Sequence, residues 1–521
     1  MITPGTPQPE KIPVALPQAT EVLPGQTKEA STDQAIEGGF DFSKVPNVRP
    51  QSPTFNPYLA SGPGYYTFLD WLNDNYRTSP PKYGYSRLAN QSQPFFAADF
   101  RYLDNPDNQD HVWTDALKRI RVGDNWMFST GGQAWTRYMN VNNQDLGTKD
   151  NVVDLSRVRV YGDLWYRDQF RLYAEFISAY SLWQNLPPGP NDINKADLLD
   201  LFVDVKLFEW NSKPAYIRLG RQELEFGSQR VVSNIDFTNA KRTFQGARFT
   251  YRGEDWDVDA WWAKPIIVNP NRLDSWDDKQ DFVGVYTTYH PNATDLLDFY
   301  YLYLDNRNTK QPGIVQGPYD IHTFGSRYTG TSDNVLWDFE GAMQLGQTGG
   351  MYTVAGFTTA GLGYKFKETT WSPTFWTYYD YASGDHSPNQ GRHTTYNQLF
   401  PFGHNYFGGL DLIGRQNIHD LNFHLFLYPS NWITFWTQYH EVWLDSKTDA
   451  LYNFVGKAIR RDPTGRAGSY VGRELNFVTN FHLTPNQDLQ IGYGHLFGGS
   501  FLKATGPDSV DYTYVTYNLK W

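Results

Sequence analysis

Residues 512–521 alternate with a period of two that few folds accommodate. Val515, Tyr517, Leu519 and Trp521 share one face, and Tyr514, Thr516, Asn518 and Lys520 share the other. Successive side chains of a strand point to opposite sides, so this stretch has one apolar and one polar surface. Two settings fit. In a soluble β-sandwich it is an edge strand whose apolar face meets a core. In a transmembrane barrel one face meets lipid, the other a wet lumen, and the final aromatic sits at the membrane interface.

Composition favours the barrel. Of 521 residues, 17% are aromatic, including 36 Tyr and 18 Trp, yet the mean hydropathy is −0.59. A polar chain rich in aromatics matches a wall whose alternate residues face water, ringed by Tyr and Trp at the interfaces. No apolar run of about 18 residues occurs, which excludes a transmembrane helix and leaves a closed sheet as the way to span a bilayer. Cysteine is absent, removing disulfides, thiolate nucleophiles and Cys-based zinc sites and suiting an exported protein. Residues Met1 to Gly5 show no basic or apolar leader, so a signal peptide is expected to have been removed ahead of them. The net charge of −11 argues against nucleic acid as a partner.

Three regions are expected. Residues 1–60 carry Pro4, Pro7, Pro9, Pro13, Pro17, Pro24, Pro46, Pro50, Pro53 and Pro57 without periodicity, and read as an extended or disordered Pro-rich arm. Residues 61–120 hold two helix-like patches, Tyr66 to Tyr76 and Trp113 to Ile120, among turns that cap one barrel mouth or lead into the first strand. Residues 121–521 read as an outer-membrane β-barrel. There Val158, Val160, Leu164 and Tyr166 oppose Arg157, Arg159, Tyr161 and Asp163, and after a turn at Arg167 and Asp168 the pattern returns from Phe170. Leu201, Val203, Val205 and Leu207 against Asp200, Asp204 and Lys206 repeat it, as do Leu421, Phe423, Leu425 and Leu427 against Asn422 and His424. Polar loops follow near 269–280, 306–319 and 382–397. About 400 residues at roughly 22 to 24 per strand give ~18 strands, so the fold class is all-β, an antiparallel transmembrane barrel with a Pro-rich N-terminal extension.

Arginine marks the polar face. Arg137, Arg157, Arg159, Arg171, Arg218 and Arg248 fall where alternation points inward, whereas Arg221, Arg230 and Arg242 lie in stretches of less certain register. A guanidinium keeps its charge at any relevant pH and pairs bidentately with carboxylates, so several around one lumen make a ring selective for anions. The competing reading is structural: Asp163, Glu175, Asp200, Asp204 and Glu223 alternate with the arginines, and neighbouring strands are stabilised by opposite-charge pairs. Catalytic signals are poor. No nucleophile elbow, dinucleotide-binding turn, P-loop or zinc-protease helix motif occurs. Asp380 with Asp385 and His386 could be drawn as a catalytic or metal cluster, but the group is expected to sit in a Gly/Ser/Pro loop and reads as solvated turn chemistry. His419, His424 and His440 read as lumen or interface residues. No catalytic residue, metal ligand or cofactor is expected.

Residues 219–232, with Arg221, Glu223, Gly227 and Arg230, resemble a signature of the alginate-export outer-membrane family. Residues 239–248, with Lys241, Arg242, Phe244, Gly246 and Arg248, resemble the pattern that follows it. Further blocks agree at 117–120, 131–137, 403–408 with Asp411 and Asn417, and 471–476. The resemblance runs colinearly over roughly residues 95–521, and the Pro-rich arm is not part of it. It implies a bacterial outer-membrane channel of about 18 strands, not an enzyme. Through it an acetylated, carboxylate-bearing polysaccharide leaves along an electropositive constriction gated by a periplasmic loop. Carried onto matching positions, Arg137, Arg157, Arg159, Arg218, Arg221, Arg242 and Arg248 are candidates for pore lining, with Arg171 added by alternation.

The expected partners are outer-membrane lipid, an anionic polysaccharide or small anionic solute, and periplasmic export proteins that drive flux. The alternatives are a general or solute-specific porin for small acids or sugars, a structural barrel whose arginines are all neutralised, and a soluble sugar hydrolase.

Overall fold

The alternating strand at the C-terminal end of the sequence pairs with the first long strand, and that pairing closes a barrel. The computed structural model describes residues 40–45, 62–85, 93–387 and 391–521. The wall consists of β1 (Trp126–Asn142), β2 (Asn151–Tyr166), β3 (Phe170–Leu182), β4 (Asn194–Trp210), β5 (Lys213–Gln222) and β6 (Phe244–Arg252). It continues with β7 (Trp256–Ile267), β8 (Gln280–Tyr289), β9 (Leu296–Asn306), β10 (Tyr319–Ser332), β11 (Val335–Thr348) and β12 (Met351–Lys365). The circuit ends with β13 (Thr374–Ala382), β14 (Ile418–Ser430), β15 (Ile433–Trp443), β16 (Tyr470–Thr484), β17 (Gln487–Gly498) and β18 (Ser509–Lys520). Each strand runs antiparallel to the next, and β1 meets β18 from Gln133↔Lys520 to Asn142↔Asp511. The expected barrel of about 18 strands is therefore a closed one of 18. Closure pairs the ladder groups of every wall strand, as a bilayer core demands.

The alternation read from the sequence is the alternation of the wall. On β2, Val158 and Val160 are each 44% exposed on the outside, whereas Arg157 and Arg159 are buried inside. On β18, Val515 faces out and Tyr512, Tyr514 and Thr516 face in. Outward aromatics gather at one rim, where Trp126 packs on Tyr166, Trp256 on Tyr289 and Tyr328 on Trp337. This rim carries the short connections, 167–169, 211–212, 333–334, 431–432 and 485–486. At 211–212, Asn211 and Ser212 both adopt positive φ, the backbone that a two-residue hairpin turn needs to match strand twist. The opposite end carries the long connections 183–193, 223–243, 268–279, 307–318, 383–417 and 444–469. In barrels of this kind the short turns face the periplasm.

Most of the Pro-rich arm lies outside the described residues. Within it, Phe42 and Val45 pack against Met127, Trp165 and Tyr216. The two helix-like patches are shorter than their periodicity predicts: α1 spans Phe68–Leu72, and a single 3-10 turn spans Asp115–Leu117. Thr67 caps α1 by accepting from the Asp70 amide at 2.9 Å. The Asp70 carboxylate then takes hydrogen bonds from Asn75 and Arg77, which turns the chain back so that Gly64 and Arg77 bridge. Local polar bonding ends the helix where apolar spacing alone would extend it.

The interior differs from a simple wet lumen. The 223–243 and 383–417 connections fold inward, and Val232 pairs with Phe400 between them. Leu224, Phe226, Val231, Val232, Tyr406, Phe407, Leu412 and Ile413 join inward-facing wall residues such as Trp261, Phe282, Tyr286 and Tyr300 in one apolar cluster. The stacked rings of Phe226 and Trp261 lie 4.5 Å apart.

Because Val158 sits midway along β2 on the outward face, Val158→Arg should cost about 2–4 kcal/mol of stability in vesicles. Denaturant unfolding would measure it, and a cost near zero would place that face away from hydrocarbon.

Candidate functional site in the barrel lumen

Strands β1 to β7 present a dense set of inward charges, because period-two alternation places every second residue of each strand on the inside. One group of arginines is paired within the wall. Arg171 on β3 holds Asp163 at 2.7 Å and reaches Asp204 at 3.7 Å. Arg218 on β5 holds Asp204 at 2.7 Å and lies 3.7 Å from the Phe202 ring. Arg248 on β6 shares Asp259 with Arg252. These are cross-strand pairs of the kind any charged sheet face uses, and their first effect is to hold adjacent strands in register.

A second group grips the inward-folded 223–243 loop. Arg137 donates to the Phe237 carbonyl at 2.8 Å and to Thr516 at 2.9 Å, its guanidinium 3.6 Å from the Phe237 ring. Arg157 donates to the Thr238 carbonyl at 2.8 Å and meets Asp236 at 3.5 Å. Arg159 pairs with Glu175, and with Glu223 and Asp236 at 3.5 and 3.8 Å. Lys241, on the same loop, sits 2.7 Å from Glu223 and 3.1 Å from Asp236. Burial alone would raise the Asp236 carboxyl, but Lys241, Arg157 and Arg159 hold it well below the usual carboxylate range.

Arg221 and Arg242 occupy other positions. Arg221 bonds Asp197 and the carbonyls of Leu198 and Asp274, which ties it to the 268–279 connection at the outer rim. Arg242 is half-buried, and its side chain donates to the carbonyls of Ser233 and Pro401. Among the described residues, no carboxylate forms an ion pair with Arg137 or Arg242, whereas the other six candidates each have one. The eight side chains therefore do not form one ring.

Other charges of the lumen were less visible in the sequence. Arg230 reaches across the barrel to Asp338 at 2.7 Å and Glu340 at 2.8 Å, and Arg327 on β10 also holds Asp338. Arg327 has the same inward alternation as the arginines singled out, and that signal was readable. Arg415, which binds Asp380 at 2.7 Å, lies in the 383–417 loop, where no periodicity marks it. Asp380 itself belongs to β13, not to a loop. Asp385 and His386 do not join it: His386 is exposed and meets Asp445 at 3.2 Å. His424 and His440 are buried inside, with His440 2.8 Å from Asp420.

The short-turn end is occupied by the segment before β1. Phe95, Phe96, Phe100 and Tyr85 pack on Tyr161, Tyr173 and Phe202 of the inner wall, and Arg171 donates to the Phe96 carbonyl at 2.9 Å. Lys118 lies among the rings of Tyr85, Phe100 and Tyr161, its ammonium about 5 Å from each centre. It donates to the carbonyls of Thr130 and Trp521 and to the hydroxyls of Tyr85 and Tyr161. Burial there lowers its pKa from 10.5 to about 7.

The profile of the alginate export family matches residues 127–516. OccK11 (OpdR) of Pseudomonas aeruginosa superposes with a TM-score of 0.50 at 13% identity, over 79% of this chain and 100% of that one. OccD3 (OpdP) of Pseudomonas aeruginosa gives 0.52 at 10% identity, over 75% and 91%. OccAB2 of Acinetobacter baumannii gives 0.52 at 11%, over 75% and 98%. At these identities the likeness is one of fold. No curated protein matches the sequence.

Two predictions follow from these contacts. Arg230→Gln removes the cation from buried Glu340 and leaves Asp338 to Arg327 alone, so it should destabilise the protein by about 3 kcal/mol and speed amide exchange in residues 223–243. Unchanged exchange there would remove Arg230 as a tether. Between pH 7 and 10.5 the unfolded chain holds a proton on Lys118 that the folded chain lacks, so stability rises with pH across that window. The melting temperature of the wild type relative to Lys118→Met should climb from pH 7 to 10, and a flat difference would refute it.

Proposed function

The chain belongs to the alginate export family, and we propose that it passes an anionic, alginate-like polysaccharide or its fragments through the lumen. It is a channel of the bacterial outer membrane. The observation that carries the finer reading is the pairing of lumen guanidinium groups with loop oxygens. Arg137 and Arg157 hold carbonyls of the 223–243 loop, Arg157 and Arg159 hold its Asp236, and Arg242 on the loop bonds its own Ser233 carbonyl. A uronate carboxylate offers the same acceptor to the same planar fork. As the loop moves aside, a passing chain exchanges with it contact for contact. Arg137, a wall residue with no carboxylate partner among the described residues, keeps a positive potential in the lumen throughout, while Arg242 travels with the loop. Several weak contacts attract an anion without trapping it.

One observation favours the second reading, a porin for small acids or sugars. The 223–243 and 383–417 loops enter from one end and residues 93–118 from the other, which narrows the lumen for a polymer. Uronate oligomers of graded length separate the two. The polysaccharide reading expects anion-selective conductance in planar bilayers, with block that strengthens with oligomer length. A small-solute porin expects block by monomers and none by long chains.

Arg137→Gln combined with Arg242→Gln should lower the anion-to-cation permeability ratio several-fold and weaken block by polyuronate. Cation preference in the wild type, without block, would overturn the proposal, and no conductance at all would identify a plugged structural barrel.

A further inference from the structure

Three carboxylates converge beneath the base of the 223–243 loop. Glu175 on β3 and Asp200 on β4 are register partners across adjacent strands. Glu223 is the first residue after β5, the next strand around the wall. All three are buried, and one oxygen from each lies within 4.8 Å of the other two. Oxygen ligands at about 2.3–2.6 Å from one calcium ion are separated by no more than about twice that distance, so the spread matches a single shared cation.

The second observation is Asp200 itself. It is 0% exposed, and neither of its oxygens has a hydrogen-bond partner among the described residues. Its neighbours are satisfied by others. Glu175 takes Arg159 and the Tyr173 hydroxyl, while Glu223 takes Lys241 and the Asn234 amide. Two cations thus reach a group of three carboxylates, and neither forms an ion pair with Asp200. A buried carboxylate without a donor or counter-ion is strongly disfavoured.

We propose that Glu175, Asp200 and Glu223 form a binding site for one divalent cation of the calcium or magnesium class, completed by water. The donor set is all carboxylate, with neither His nor Cys, which selects a hard cation over zinc or copper. The cation fastens the entry of the 223–243 loop to β3 and β4. Lys241, near the exit of the same loop, is salt-bridged to Glu223, so both ends of the loop depend on it. No sequence spacing announces this site, because its ligands come from two strands and the start of a loop. It stands independently of what the lumen transports.

The test uses the full chain in detergent, stripped with EDTA and titrated with CaCl2 or MgCl2 by calorimetry. Melting and amide exchange are followed in parallel. One saturable site per chain is expected, with a melting temperature several degrees higher and slower exchange confined to residues 223–243 and their wall contacts. Asp200→Asn should abolish all three effects, and Asp420→Asn, which removes a buried carboxylate elsewhere in the lumen, should preserve them. If Asp200→Asn does not fold, Glu223→Gln serves the same purpose. Absence of saturable binding by either cation would overturn the proposal, as would binding that survives Asp200→Asn. If Asp200 merely carries a proton, calcium changes nothing and Asp200→Asn melts with the wild type, which also overturns it.

Discussion

A peptide group left unpaired in hydrocarbon is too costly to persist, and the rest of this structure follows from that constraint. Pairing the wall strands without a free edge requires β1 to meet β18, at the far end of the chain, in the register Gln133↔Lys520. Once the sheet is closed, alternation leaves no choice of where polar residues go. Val158 and Val160 are given to lipid, and Arg157 and Arg159 are forced inside together with whatever neutralises them. The charged lumen is the other face of a greasy exterior.

Filling that lumen is a separate problem, which the protein solves with loops and not with side chains alone. The 223–243 connection brings Asp236 and a run of carbonyls to Arg137, Arg157 and Arg159, and it brings Phe226 to the ring of Trp261. The same loop is thus held by charge on one side and by stacking on the other. Interior pairs of this kind are poor net stabilisers but costly to break one-sidedly, which makes them suited to holding a loop in one position. Arg230 extends the arrangement across the barrel to β11, so the loop is anchored on opposite walls.

The barrel was legible from the sequence because its signal is local. Period-two runs such as 158–166 and 512–521, aromatic abundance and length suffice for the strands, the lipid face and a count near 18. The inward direction of Arg137, Arg157, Arg159, Arg171, Arg218 and Arg248 was legible for the same reason. What those arginines bind was not, because the partners arrive on loops with no periodicity. Arg221 shows alternation holding where the family pattern alone would place it in the lumen. Pairing runs through its neighbour Gly220 without a shift, so Arg221, three residues on from Arg218, falls on the opposite face of β5 and leaves the inward set. The helix-like patches failed differently, since the Asp70 hydrogen bonds that end α1 outweigh apolar spacing. Arg415 and the Glu175–Asp200–Glu223 convergence are tertiary facts without a linear trace.

Lys118 sits where the two most distant strands meet. Its acceptors include Thr130 on β1 and Trp521 just beyond β18, so the pocket that receives it does not exist while the seam is open. Contacts between segments this far apart carry the largest loop-closure entropy in the chain and form late. Lys118 is synthesised before the wall it leans on, yet its seat is complete only after the cylinder is sealed. Its docking is in effect a report that assembly has finished.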